Sequence, residues 1–86
     1  MHILNEHEKG YIMTLKAIRE YLKESLQTER LKDKGLKFTL KTNGDLDLFG
    51  KKLYAIYESG ERVSPFYSAK EWDGWKIEKV LMKYWL

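Results

Sequence analysis

Eighty-six residues bound a single domain, residues 1–86, and leave no room for a second core. The absence of cysteine excludes disulfides and thiolate zinc sites, and no apolar run approaches the length of a membrane span. Residues 1–43 hold nine basic and six acidic side chains and residues 44–86 hold seven of each, so the net charge of +3 lies wholly in the first half; it permits nucleic-acid binding without amounting to a dedicated basic surface.

The N-terminal stretch "MHILNEHEKG" has no apolar run of signal-peptide length, so a cytoplasmic protein without membrane association is expected. A helix is predicted from about Glu6 to about Lys32. Asn5 and Glu8 provide an N-cap and capping box, and Tyr11, Leu15, Ile18, Leu22 and Leu26 form one apolar stripe. Leu31 falls off that stripe, which predicts a bend or frayed last turn. Gly35 suits a left-handed terminating position, and Arg30, Lys32 and Lys34 suit the negative end of the helix dipole.

"LKFTLKTNGDLDLF" reads as a hairpin. A two-residue Asn43-Gly44 loop would set Leu40 opposite Asp47, mixing leucines and charges on one face. A three-residue loop, Thr42-Asn43-Gly44, instead pairs Phe38 with Leu48, Leu40 with Leu46 and Lys41 with Asp45, and is preferred. "LYAIYESGERVSPFY" gives two further strands. A four-residue loop from Glu58 to Glu61 keeps those glutamates from facing each other and pairs Tyr57 with Arg62 and Ile56 with Val63. Pro65, the only proline, marks a sheet edge or strand end.

The closing segment, "SAKEWDGWKIEKVLMKYWL", carries two opposed signals. Asp73-Gly74 is a hairpin-turn dipeptide, whereas Ser68 and Glu71 read as a capping box, with Tyr67 and Trp72 as a hydrophobic staple. Ile77, Val80, Leu81 and Tyr84 repeat at helical spacing, which favours a helix from Ala69 to about Tyr84 over a tryptophan hairpin. The predicted fold is therefore α+β: an N-terminal helix, a four-stranded antiparallel meander sheet and a C-terminal helix, both helices on one sheet face.

Catalytic chemistry is sparse. His2 and His7 lie five apart, off the spacing of a helical metal pair, and no other histidine is available as a base for a serine or threonine nucleophile. Asp45 and Asp47 share a strand face, but pairing with Lys41 and Thr39 accounts for them without a metal. No phosphate-cradling glycine motif is present. Neither an enzyme nor a cofactor is expected.

Two binding surfaces remain. On the C-terminal helix, Trp72, Trp75 and Met82 project away from the core stripe, with Lys79 among them. Either Trp72 staples onto Tyr67 and Trp75 folds under a loop to complete the core, or Trp75 and Met82, with part of Trp72, form an apolar patch with a basic rim, suited to another protein or to a homodimer contact. Alternatively, Arg30, Lys32, Lys34, Lys37 and Lys41, with the exposed sheet face and Tyr54 as the nearest aromatic, form a nucleic-acid surface. The first is the leading expectation: a small protein-binding module that regulates or inhibits a larger partner. Stand-alone chains of this size, phage and mobile-element accessory proteins among them, commonly work that way.

Overall fold

The computed structural model describes residues 14–85, which form two α-helices and a four-stranded antiparallel sheet. The expected Asn5 cap, with Glu8 and Tyr11, lies outside them. Helix α1 runs Leu15–Ser25. Thr14 is its N-cap: the backbone there is extended and Thr14 Oγ1 accepts from the Ala17 amide at 3.0 Å. A continuous helix from Glu6 to Lys32 is thus corrected at both ends. At the far end, Ser25 Oγ donates to the Tyr21 carbonyl and Thr28 Oγ1 to the Ser25 carbonyl, at 2.8 and 2.7 Å. These hydroxyls compete with the helical ladder, and the chain continues through successive turns to Lys34. Leaving the helix there is what lets Leu31, off the stripe, turn inward and become buried. Gly35, at φ +70°, takes the left-handed conformation expected of it.

Strand β1 spans Phe38–Leu46 and β2 spans Lys52–Glu58. The Thr42-Asn43-Gly44 loop is not a hairpin turn. β1 runs through it as a bulge between Thr42 and Leu46, and pairs Phe38 with Glu58, Leu40 with Ile56 and Lys41 with Ala55. Within the bulge, Thr42 Oγ1 accepts from the Gly44 amide and Asn43 Oδ1 from the Asp45 amide, so local side-chain bonds replace the lost ladder. Pairing with β2 places Leu40 against Ile56, both buried beside helical side chains, which a ribbon of residues 38–48 alone would not achieve.

The Tyr57–Arg62 pairing forms as expected, but its turn is the two-residue Ser59-Gly60, both at positive φ, so Glu58 and Glu61 do face each other. Glu58 turns its carboxylate aside, accepting from Ser59 Oγ and from the Lys37 amide. After β3, Glu61–Arg62, the chain breaks at Ser64-Pro65 and resumes as β4, Tyr67–Ser68. Both short strands lie along one edge of β2, β3 near its end and β4 near its start, so the sheet is centred on β2 and is not a simple meander. Between them Ser64 Oγ stands in for a strand, accepting from the Ile56 amide at 2.8 Å.

Ser68 and Glu71 make the contacts of a capping box, Glu71 Oε1 accepting from the Ser68 amide and hydroxyl. They close a turn, however, and helix α2, Gly74–Leu81, starts later, with Asp73 as N-cap to the Lys76 amide at 2.9 Å. Aspartate before glycine therefore acts here as a helix cap, not a hairpin turn. A 3₁₀ turn, Met82–Tyr84, extends α2.

Ile18, Tyr21 and Leu22 from α1, Ile77, Val80 and Leu81 from α2, and Leu40, Ile56, Leu31 and Trp72 form one core. Trp72 is fully buried, meets Tyr67 edge-on at 5.1 Å between centroids, and donates its indole N–H to the Tyr54 carbonyl at 2.9 Å. No helix among the described residues is long and apolar enough to cross a membrane. Trp72→Ala is expected to cost ~3–5 kcal/mol in urea unfolding, against ~1 kcal/mol or less for Trp75→Ala. Equal losses would contradict this division of the two indoles.

The two helices also meet through a polar contact, the Tyr21 hydroxyl donating to Glu78. Burial first, then that hydrogen bond and the nearby Glu78 charge, raise the Tyr21 phenol far above its ordinary range. A phenol whose folded-state pKa is raised contributes stability that is complete below its unfolded value, about 10, and is lost as pH climbs above it. In urea titrations, stability should therefore fall less steeply above about pH 10 for Tyr21→Phe than for the wild type. Parallel pH profiles would rule out this linkage.

Candidate functional site

The C-terminal helix sorts its aromatic side chains by burial. Trp75 and Met82 are 48% and 56% exposed, and Lys79 is exposed between them in sequence. At spacings of four and three residues they share one side of the helix, as expected. Trp72 does not join them. It precedes α2, and its indole is committed to Tyr67 and to the central strand, so it contributes no accessible surface.

The basic segment is dispersed. With α1 ending at Ser25, Arg30, Lys32 and Lys34 lie beyond its last turn, where only Lys23 is basic. The Arg30 guanidinium sits 4.3 Å from the centroid of Trp85, and Lys32 pairs with Glu29 at 3.2 Å. Lys37 is exposed just before β1, and Lys41 lies on the sheet face opposite Leu40, its ammonium 5.5 Å from the Tyr57 ring. Tyr54 is no stacking platform: it shares the core-facing side of β2 with Ile56 and is partly buried there. The aromatics associated with the outer face are Tyr57 and Phe66, the latter beneath Arg62 at 5.2 Å.

Asp45 and Asp47 serve the local turns. The Asn43 side-chain Nδ2 donates to the Asp45 carboxylate at 3.0 Å. Asp47 Oδ1 accepts from the Phe49 and Lys51 amides at 2.8 and 2.9 Å. No group of three or more potential metal-ligating side chains occurs among the described residues, and His2 and His7 lie outside them.

That Asp47 turn forms the surface that the pairing expected from sequence concealed. Leu46, Leu48 and Phe49 are 57%, 100% and 86% exposed at the β1–β2 end. The turn is nevertheless fixed: besides the two side-chain bonds, the Asp47 amide donates to the Lys51 carbonyl and the Gly50 amide to the Asp47 carbonyl. Beside it a cleft of about 450 Å³ is bounded by Leu48, Phe49 and Lys51 on one side and by Ser68, Lys70 and Glu71 on the other. Alternation in "DLDLF" reads as a half-buried strand, which hid this surface. The signal that could have revealed it is Asp47-Leu48-Phe49-Gly50, with aspartate first and glycine fourth as in a type I turn.

No protein-family model, curated protein or solved structure matches this chain. The local geometry generates its own test. Asp47→Ala should release the turn and speed amide hydrogen exchange at Phe49 and Lys51 by about fivefold to tenfold, the equivalent of ~1 kcal/mol, while core amides keep their protection. Unchanged exchange at both amides would mean that Asp47 does not hold the turn.

Proposed function

We propose that the chain is a non-enzymatic protein-binding module, a regulator or inhibitor that offers its β1–β2 turn to a larger partner. The observation that carries this reading is the pairing of high exposure with fixed geometry at Leu48 and Phe49. Removing such side chains from water is worth roughly 1.5–3 kcal/mol each. A turn already ordered by Asp47 loses little conformational freedom when it docks, so more of that gain survives as affinity. Asp45, Lys51 and Lys52 supply a charged rim of mixed sign, suited to orientation and partner choice. Trp75 and Met82 add a second exposed apolar area on α2.

A second reading, nucleic-acid binding across the outer sheet face, is favoured by the Lys41–Tyr57 and Arg62–Phe66 pairs, which combine cations with aromatic rings. It ranks below the first because those cations already lie over the rings that a base would need.

The test compares immobilised wild type with Leu48→Ser/Phe49→Ser in capture from native lysate, with and without nuclease. The expected result is a protein retained by the wild type whether or not nuclease is present, and lost from the double variant. Melting of the variant should be unchanged, since neither side chain is buried. Equal retention by the variant would overturn the assignment to this turn, and loss on nuclease treatment would favour the second reading.

A further inference from the structure

Apart from the β1–β2 turn, α2 and the segment between β3 and β4 enclose a groove of about 210 Å³. Its base is apolar, formed by Pro65, Tyr67 and Val80, with buried Trp72 behind it. Its rim is cationic, formed by Lys76, Lys79 and Lys83. Among the described residues no carboxylate lines it. The clefts beside Glu29 and Arg30 and beside Asp47 and Lys51 mix both signs of charge, while the cleft between α1 and β1 is also cationic, with Arg19, Lys23 and Lys41.

The walls of this groove are set before any ligand arrives. Ser64 Oγ accepts from the Ile56 amide and donates to the Pro65 carbonyl at 2.9 Å, and Arg62 donates to the Ser64 carbonyl at 2.7 Å. Lys83 Nζ donates to the Val63 carbonyl at 2.9 Å, tying α2 to that segment. The Tyr67–Trp72 contact fixes the other wall. Lysines three and four residues apart share one side of the helix and its extension, with the Lys76 ammonium over the Tyr67 ring and the Lys83 ammonium on the Val63 carbonyl.

We infer that this groove binds an acidic peptide segment, seating one apolar residue on the Pro65–Tyr67–Val80 base while flanking carboxylates meet Lys76, Lys79 and Lys83. Charge selects the partner, because three lysines and no carboxylate line one small apolar slot. The existing contact of Lys76 with the Asp73 carboxylate, at 3.7 Å, shows the kind of pairing that the rim supports. A nucleic acid fits less well. The Tyr67 ring is already engaged by Trp72 and by the Lys76 ammonium, 5.2 Å from its centroid, leaving no platform for a base. This inference is independent of the β1–β2 turn and concerns a different surface.

The experiment is an NMR titration of the ¹⁵N-labelled protein with a short synthetic peptide in which glutamates flank one leucine. Controls are the same peptide with glutamine for glutamate and a single-stranded oligonucleotide. The expected result is a set of saturable shifts centred on Phe66, Tyr67 and the 76–83 helix with the acidic peptide, weakening steeply with salt. Lys79→Glu reverses one rim charge at an exposed position and should weaken binding by about tenfold or more while leaving the spectrum otherwise folded. Leu48→Ser should leave the affinity unchanged. The inference is overturned if the acidic peptide produces no shifts at the groove, if the glutamine peptide binds as well, or if Lys79→Glu has no effect. Tighter binding of the oligonucleotide to the same residues would overturn it too.

Discussion

Trp72 carries a constraint on which much of the arrangement depends. Its indole must be removed from water and its N–H must find an acceptor in the same place. The Tyr54 carbonyl supplies that acceptor from the central strand, and Tyr67, on the neighbouring short strand, supplies an aromatic edge contact. One side chain therefore links the start of α2 to the paired strands β2 and β4. The turn at Ser68–Glu71 can be brief because it has only to bring the indole back beneath the strand it has just left. Asp73 can then start the helix at once, pointing Ile77, Val80 and Leu81 into the same core.

The divided edge of the sheet follows from the other polar problem in the fold. Pro65 has no amide proton to give to a ladder, so the outer row cannot run unbroken alongside β2. Ser64 solves this locally by accepting from the Ile56 amide with its hydroxyl, and the chain bulges outward before pairing again at Tyr67. The outward segment forms one wall of the lysine-rimmed groove. The groove is thus a consequence of where the proline interrupts the sheet, and its rigidity comes from the hydrogen bonds that repair the interruption.

Helical stripes were legible from sequence because side-chain spacing alone places them. Ile18 and Leu22, like Ile77, Val80 and Leu81, are buried where periodicity puts them. The number and antiparallel sense of the strands were legible as well. The Tyr57–Arg62 pairing was legible too, but the partner of β1 was not, because the pattern at residues 36–48 is satisfied equally by a short ribbon and by a long strand paired with residues 52–58. What separates these is whether Leu40 ends up beside Ile56 in the common core, which no local rule can see. The same ambiguity hid the exposed turn: Leu46 and Leu48 alternate with aspartates as buried residues do, yet Asp47 and Gly50 carry the turn. At the C-terminus, Ser68 and Glu71 make the expected contacts without starting a helix, because Asp73 offers a better cap two residues after Glu71. Trp75 and Met82 were placed on the outer side of α2 from spacing alone, whereas Trp72 was drawn inward by Tyr67 and by a carbonyl that only the tertiary fold supplies.

The two proposed binding surfaces share the segment between Tyr67 and Trp72. Tyr67 and Trp72 support the groove, while Ser68, Lys70 and Glu71 form one side of the cleft beside the exposed turn. They are therefore fixed relative to each other by the same buried indole. A partner touching both would meet two surfaces whose relative position is already set, and the ordering cost of presenting the second would fall on the folding of this chain rather than on association. Their chemistries differ in a useful way. The turn offers apolar surface with a mixed rim, which gives affinity with little selectivity. The groove offers three like charges around a small apolar base, which adds little affinity in salt but discriminates strongly by sign. If both proposals hold, burial at one surface combined with charge selection at the other is a physical route by which so small a domain binds tightly and selectively.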